Sequence, residues 1–204
     1  MKFDPMSLKH RDLAHLLTDV VVPRPIAWVS TVSEQGIYNI APFSAYSMVG
    51  IRPLLLCFSV GTTREGQKKD TILNIELTKE FVISIVTEEV AEAMNKTSAP
   101  YPSDVSEYEE VGLTSLKADL VKAPMVGESP INMECRAIQI LEFGQAPTLT
   151  NLVIGEILLI HVADEYYDKP SGRITGLKAV GRLGGDGDIY CRIRDSFQMK
   201  RPTL

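Results

Sequence analysis

The chain has 204 residues, 45% of them hydrophobic, and a formal charge of −5 with a pI near 5.3. That length fills one core, and the acidic balance argues against nucleic acid or an anionic membrane as the main partner, since phosphate backbones select dense Lys/Arg clusters. The N-terminal stretch MKFDPMSLKHRDLAHLL carries charges where an export signal needs its apolar run, and no apolar run reaches the ~20 residues that span a bilayer, so the expected location is cytoplasmic.

From Met1 to Val22, the apolar positions Leu13, Leu16 and Leu17 predict a short amphipathic helix lying as a lid on the first strand. Pro23 and Pro25 hold Arg24 in extended backbone, where it suits either an anion or carboxylate across an interface, or a surface salt bridge. The stretch from Pro23 to Met48 then reads as a strand over Ile26–Val32, a turn at Ser33–Gly36 and a second run carrying Asn39, Pro42, Ser44, Tyr46 and Ser47. Pro42 cannot donate to a ladder and belongs at an edge or bulge. Backbone groups left free there, beside small polar side chains, suit a flat ligand with a polar edge.

Leu54–Val60 is a near-continuous apolar run, which predicts a strand buried on both faces. The polar segment Gly61–Thr71 follows, with Asp70 expected to cap a helix over Ile72–Leu77. Hydroxyls, Arg64, Lys68 and Lys69 arriving at a helix N-terminus suit a phosphate, although a polar loop before a capped helix is also ordinary solvated surface. Neither GxxxxGK[ST] nor GxGxxG is present.

Phe81–Val86 predicts a strand, Thr87 opens a helix, and Ser106 with Glu109 predicts a capping box on another. Ile131–Leu141 alternates as a half-buried antiparallel strand, and Leu152–Val162 is a longer one in which Gly155 and Glu156 suggest a bulge. His161, alone near its end, reads as structural or catalytic. The glycines between Gly181 and Tyr190 predict a turn before a last extended piece. Cys57, Cys135 and Cys191 form no ligand spacing, and the aspartates near the C-terminus lack calcium-loop spacing, so no metal site is expected. Strands outnumber helices and come in adjacent runs, which predicts a mainly β, antiparallel barrel with a few short helices as lids, in a single domain over 1–204.

The order of several motifs resembles the flavin reductase-like, FMN-binding split-barrel family, which includes flavoredoxin and the flavin reductase components of two-component monooxygenases. They are Arg24-Pro25-Ile26-Ala27-Trp28-Val29-Ser30-Thr31, Gly36, Asn39-Ile40-Ala41-Pro42-Phe43-Ser44, Lys69-Asp70-Thr71-Ile72-Leu73-Asn74-Ile75, Glu80-Phe81-Val82, Gly155-Glu156-Ile157, and Arg182-Leu183-Gly184-Gly185 through Tyr190. The resemblance implies a homodimeric split β-barrel holding FMN, or FAD, near the dimer interface. On that footing Thr31, Asn39, Ala41, Pro42, Ser44, Tyr46 and Ser47 line the isoalloxazine. Thr63, Arg64, Lys69, Asp70 and Thr71 hold the phosphate. Trp28 is either a ring-stacking residue or core, and Arg182 and Tyr190 approach the flavin from the partner. The implied activity is NAD(P)H-dependent flavin reduction, with hydride passing to flavin N5 and reduced flavin reaching a monooxygenase or other redox partner; the alternative is a flavoredoxin-like electron carrier. No triad or paired-carboxylate motif appears, and no catalytic side chain is assigned.

Overall fold

β1 (Ala27–Val32) is buried along its whole length, because it is shared by two cores. The computed structural model describes residues 1–202 apart from 146, 186 and 187. α1 (His10–Val20) precedes the strand and, contrary to the expected lid, buries none of its residues; Leu17 is 63% exposed. β1 turns into β2 (Tyr38–Phe43) where the sequence indicates. Gly36 takes φ +83°, its N–H donates to the Ser33 carbonyl at 3.0 Å, and the Ile37 N–H donates to Ser33 Oγ at 3.1 Å.

The second arm does not run on to Ser47. It ends at Phe43, and β3 (Tyr46–Ile51) starts after two residues, pairing with β4 (Leu54–Gly61). With β5 (Glu80–Ile85), β6 (Ile131–Phe143) and β7 (Thr150–Val162) these form one antiparallel sheet in the order β2-β1-β5-β6-β7-β4-β3. β2 and β3 are thus consecutive in sequence yet stand at opposite edges of the sheet. Two linking residues reach only about 10 Å between strand ends, so the sheet must curl until its edges meet. The rings of Phe43 on β2 and Phe58 on β4 lie 5.7 Å apart, across that closure. The result is a barrel split at the β2–β3 seam.

Inward-facing residues alternate around it: Ala27 and Val29 of β1, Phe58 and Val60 of β4, Phe81 and Ile83 of β5, Met133 and Cys135 of β6. α2 (Asp70–Thr78) adds Ile72 and Ile75 and stops the barrel at one end. β4 departs from the expected burial on both faces: Leu56, Phe58 and Val60 are buried, whereas Leu55, Cys57 and Ser59 are half-buried. On the other side of β1, Trp28 and Ile40 pack under α3 (Ala91–Lys96) and α4 (Glu107–Val111), with Met94 and Tyr108 in contact. Trp28 is wholly buried and its indole N–H donates to Thr97 Oγ1 at 2.9 Å, so it is core.

Three local expectations are revised. Thr87 precedes a short 3-10 turn over Glu88–Val90, not an α-helix directly; Ser106 caps α4 without a side-chain bond, so the capping box does not form. The bulge lies beside Gly155 and not on it: Ala137 pairs with Gly155 and Gln139 with Ile154, leaving Ile138 of β6 as the extra residue, and Leu158 is a second one on β7. A short ladder of β8 (Val180–Arg182) with β9 (Tyr190–Arg192) closes the fold, and the Asp186 and Gly187 part of its connection lies outside the described residues.

Candidate functional site

Where α2 meets β1 and β2, five polar side chains interlock. Asn39 Oδ1 accepts from the hydroxyls of Thr71 (3.0 Å) and Thr31 (3.3 Å), and Thr31 Oγ1 accepts from Asn74 Nδ2 at 3.0 Å. Asn39 Nδ2 donates to Glu107 Oε1 at 2.7 Å, while Glu107 Oε2 accepts the backbone N–H of Ile40 at 3.1 Å. Thr31, Thr71, Asn74 and Glu107 are all buried, and Asn39 alone is half-buried. Burial pushes the Glu107 carboxyl above the usual carboxylate range, Asp70 pushes the same way, and the bonds from its own backbone, Ile40 and Asn39 oppose them.

Beside this network lies a cleft of about 380 Å³ between the Ser33–Ile37 turn, one face of α2 and residues 103–105. Asn39, Asp70 and Asn74 supply its polar groups, and Ile37, Leu73, Leu77 and Val105 its apolar wall. Such a volume falls at the small end of ligand sites.

The helix start is built differently from the expected cap. Lys69 is the N-cap and Asp70 the first helical residue, and no side chain caps the helix. Burial raises the Asp70 carboxyl above its usual range, against a bond from its own backbone N–H. Lys69 sets its ammonium 5.9 Å over the Phe43 ring, and desolvation there lowers its pKa. Lys68, by contrast, is held by Glu76 (2.6 Å) and Glu142 (2.5 Å), so it does not join Lys69 at the helix.

The remaining expected site residues are spread along the seam and the neighbouring loop. Ala41 pairs with Val29 and packs against the barrel core, and Pro42 pairs with Trp28 on the edge strand, as a residue without an N–H requires. Tyr46 packs on the same core, and burial pushes its phenol up to about 12. Ser47 is exposed and donates to the Met48 carbonyl at 3.2 Å. Thr63 closes a tight loop tip: its carbonyl accepts from Gly66 at 3.1 Å, its N–H donates to Gln67 at 2.9 Å, and Arg64 stands exposed on that tip.

Within the chain Arg24 is bound chiefly to backbone carbonyls. Its guanidinium donates to the carbonyls of Thr18 (2.6 Å), Val21 (2.9 Å) and Leu183 (2.9 Å) and, at 3.3 Å, to Ser44 Oγ. It therefore pins the end of α1, the β2–β3 link and the segment after β8 to one another. Burial and the neighbouring Arg182 lower its pKa, and Asp19 opposes them. Arg182 lies 5.8 Å over the Tyr190 ring opposite it in the ladder, and Tyr190 donates to Asn95 Oδ1 at 3.0 Å. His161 bonds the buried Glu134 at 2.6 Å, and Glu134 also accepts the N–H groups of Asp119, Leu120 and Val121.

Glu107 is the residue that sequence reasoning missed. Its acidic position after a cap residue looks like ordinary helix-dipole complement, and nothing local marks it as a partner of Asn39, 68 residues away.

A barrel split at one seam, with a polar network and a lysine at the helix start beside it, defines a split-barrel protein. The chain belongs to the flavin reductase like domain family, whose model matches residues 20–176. It is similar to component B of nitrilotriacetate monooxygenase from Bacillus cereus, at 33% identity and a TM-score of 0.92, with 98% of each chain covered. It is also similar to the 2-nitrobenzoate 2-nitroreductase NbaA of Pseudomonas fluorescens, at 30% identity and a TM-score of 0.89, covering 100% of this chain and 98% of that one. A candidate flavin reductase with a split barrel domain from Shewanella frigidimarina matches at 25% identity and a TM-score of 0.83, covering 99% of this chain and 100% of that one. The fold is thus the split barrel of a flavoprotein oxidoreductase family. No helix of the described residues is long and apolar enough to cross a membrane.

Proposed function

We propose that the protein is an FMN-binding, NAD(P)H-dependent flavin reductase that works as a homodimer and passes reduced flavin to a partner oxygenase, with FAD as the alternative flavin. The observation that carries this reading is the placement of the Lys69 ammonium over the Phe43 ring at the start of α2, beside Asn39 and the barrel's seam. The donor set fits a flavin phosphate: Lys69 supplies a cation, the first turn of α2 supplies backbone N–H groups, and Thr63 and Arg64 stand on the adjoining loop. Asp70 is the group of opposite sign, and burial raises its carboxyl above its usual range.

The flavin, once bound, supplies the hydride chemistry at N5. The chain's part is to bind and orient it. Asn39 meets its polar edge, and Ala41, Pro42, Ser44, Tyr46 and Ser47 form the wall along the seam. Exposed Met48, Val49 and Ile51 on edge strand β3 support burial against a second copy. Arg182 and Tyr190 then approach the flavin across that interface. The partner oxygenase is suggested by the similarity to a monooxygenase component B.

Stopped-flow mixing of the FMN-loaded protein with NADH or NADPH tests the activity, with loss of the oxidised flavin absorbance as the expected result. No bleaching with either nucleotide replaces the reductase reading with that of an electron carrier. A protein that fails to quench added FMN fluorescence does not bind the cofactor at all.

A further inference from the structure

The hydrogen-bond accounting around Asn39 closes in only one way. Both lone pairs of its Oδ1 are taken, by Thr31 and Thr71. Thr31 already accepts from Asn74, so its own proton is directed to Asn39. Ionised Glu107 accepts and does not donate, so with the carboxylate in that state the face of Asn39 toward it is its nitrogen. Ile40's fixed backbone N–H occupies the other Glu107 oxygen, which holds the carboxylate in place. Nδ2 carries two protons and Glu107 takes one. What Asn39, a wall residue of the cleft, has left to offer is a single N–H.

We propose that Glu107 is a positioning residue that fixes Asn39 as a hydrogen-bond donor toward the ligand, so that this part of the site reads an acceptor edge. Resting on the flavin reading above, the acceptor is a carbonyl of the isoalloxazine ring, and a donor there favours the ring as it takes on negative charge. Thr71 is buried and directs its hydroxyl proton to Asn39.

The decisive variant is Glu107→Gln. A glutamine oxygen satisfies Ile40 only by turning its NH2 toward Asn39, and Asn39 must then rotate its own oxygen to meet it. The donor at the ligand becomes an acceptor. Titration of FMN and of riboflavin into wild type and Glu107→Gln is therefore expected to show about a tenfold or greater loss for both ligands equally, because the defect is at the ring. Lys69→Ala, run alongside, weakens FMN alone. Equal affinity of folded Glu107→Gln and wild type, or a loss confined to FMN, overturns the proposal. If Glu107→Gln does not fold, a crystal structure of the wild-type FMN complex decides: Asn39 Nδ2 bonded to a ring carbonyl supports the assignment, and an Asn39 side chain that does not touch the flavin overturns it. Wild type that binds neither FMN nor riboflavin rejects the flavin reading itself, a different result from an unchanged variant.

Discussion

The ring of Phe81 crosses directly over Gly155. A Cβ built on Gly155 would lie 3.0 Å from Phe81 Cε1 and nearer still to Cζ, and Phe81 is wholly buried in the barrel. Gly155→Ala therefore forces a packed aromatic to move and should cost about 1–3 kcal/mol. Thermal denaturation checks this. Combining it with Phe81→Leu, which clears the ring, should recover part of the loss, giving a coupling that independent sites do not show.

Glu134 ties the 119–121 segment to the barrel. Burial raises its carboxyl, yet the bonds from His161 and from the N–H groups of Asp119, Leu120 and Val121 outweigh that and hold it below the usual carboxylate range. A depressed folded-state pKa gives stability that is present above the unfolded carboxylate value and lost as pH falls through the folded one. Glu134→Gln should cost about 2–3 kcal/mol at neutral pH, by removing charged hydrogen bonds, and should flatten the acid limb of the stability curve. Chemical denaturation at a series of pH values measures both.

Lys69→Ala should lower FMN affinity by about tenfold or more and leave riboflavin nearly unchanged, since a charged contact to phosphate is worth roughly 1.5–3 kcal/mol. Thr71→Val should behave differently. Its hydroxyl faces Asn39, so the variant loses melting temperature without changing the FMN-to-riboflavin ratio.

Arg24→Lys should loosen three segments together. Lysine cannot reproduce a planar fork that reaches the carbonyls of Thr18, Val21 and Leu183. Hydrogen exchange is expected to quicken in α1 and in the β8–β9 ladder while the β5–β6 pair keeps its protection. Uniform loss across the sheet would show that Arg24 supports the whole fold instead.

The strands were legible because β-branched and aromatic runs repeat with period two, and the Ser33–Gly36 turn because Gly36 supplies the positive φ a hairpin needs. Trp28 as core followed from the apolar strand that carries it. The break after Phe43 was not legible: Ser44 and Ala45 are no turn signal, and only the closure of the barrel separates β2 from β3. Lys68 looked like a ligand cation beside Lys69, but its partners, Glu76 and Glu142, lie on α2 and on β6. Glu107 escaped for the same reason. Side-chain pairings between distant segments are set by the folded geometry, and local sequence carries no mark of them.

The seam between β2 and β3 has a mechanical meaning. Every other neighbouring pair around the barrel is held by a hydrogen-bonded ladder, so parting it breaks several bonds at once. Among the described residues these two strands share no ladder; a two-residue link and the packing of rings such as Phe43 and Phe58 hold them together. Widening the wall there stretches side-chain contacts and leaves the backbone bonds intact. The barrel is thus softer along this seam than across any of its ladders, and the opposite wall is the stiffer one.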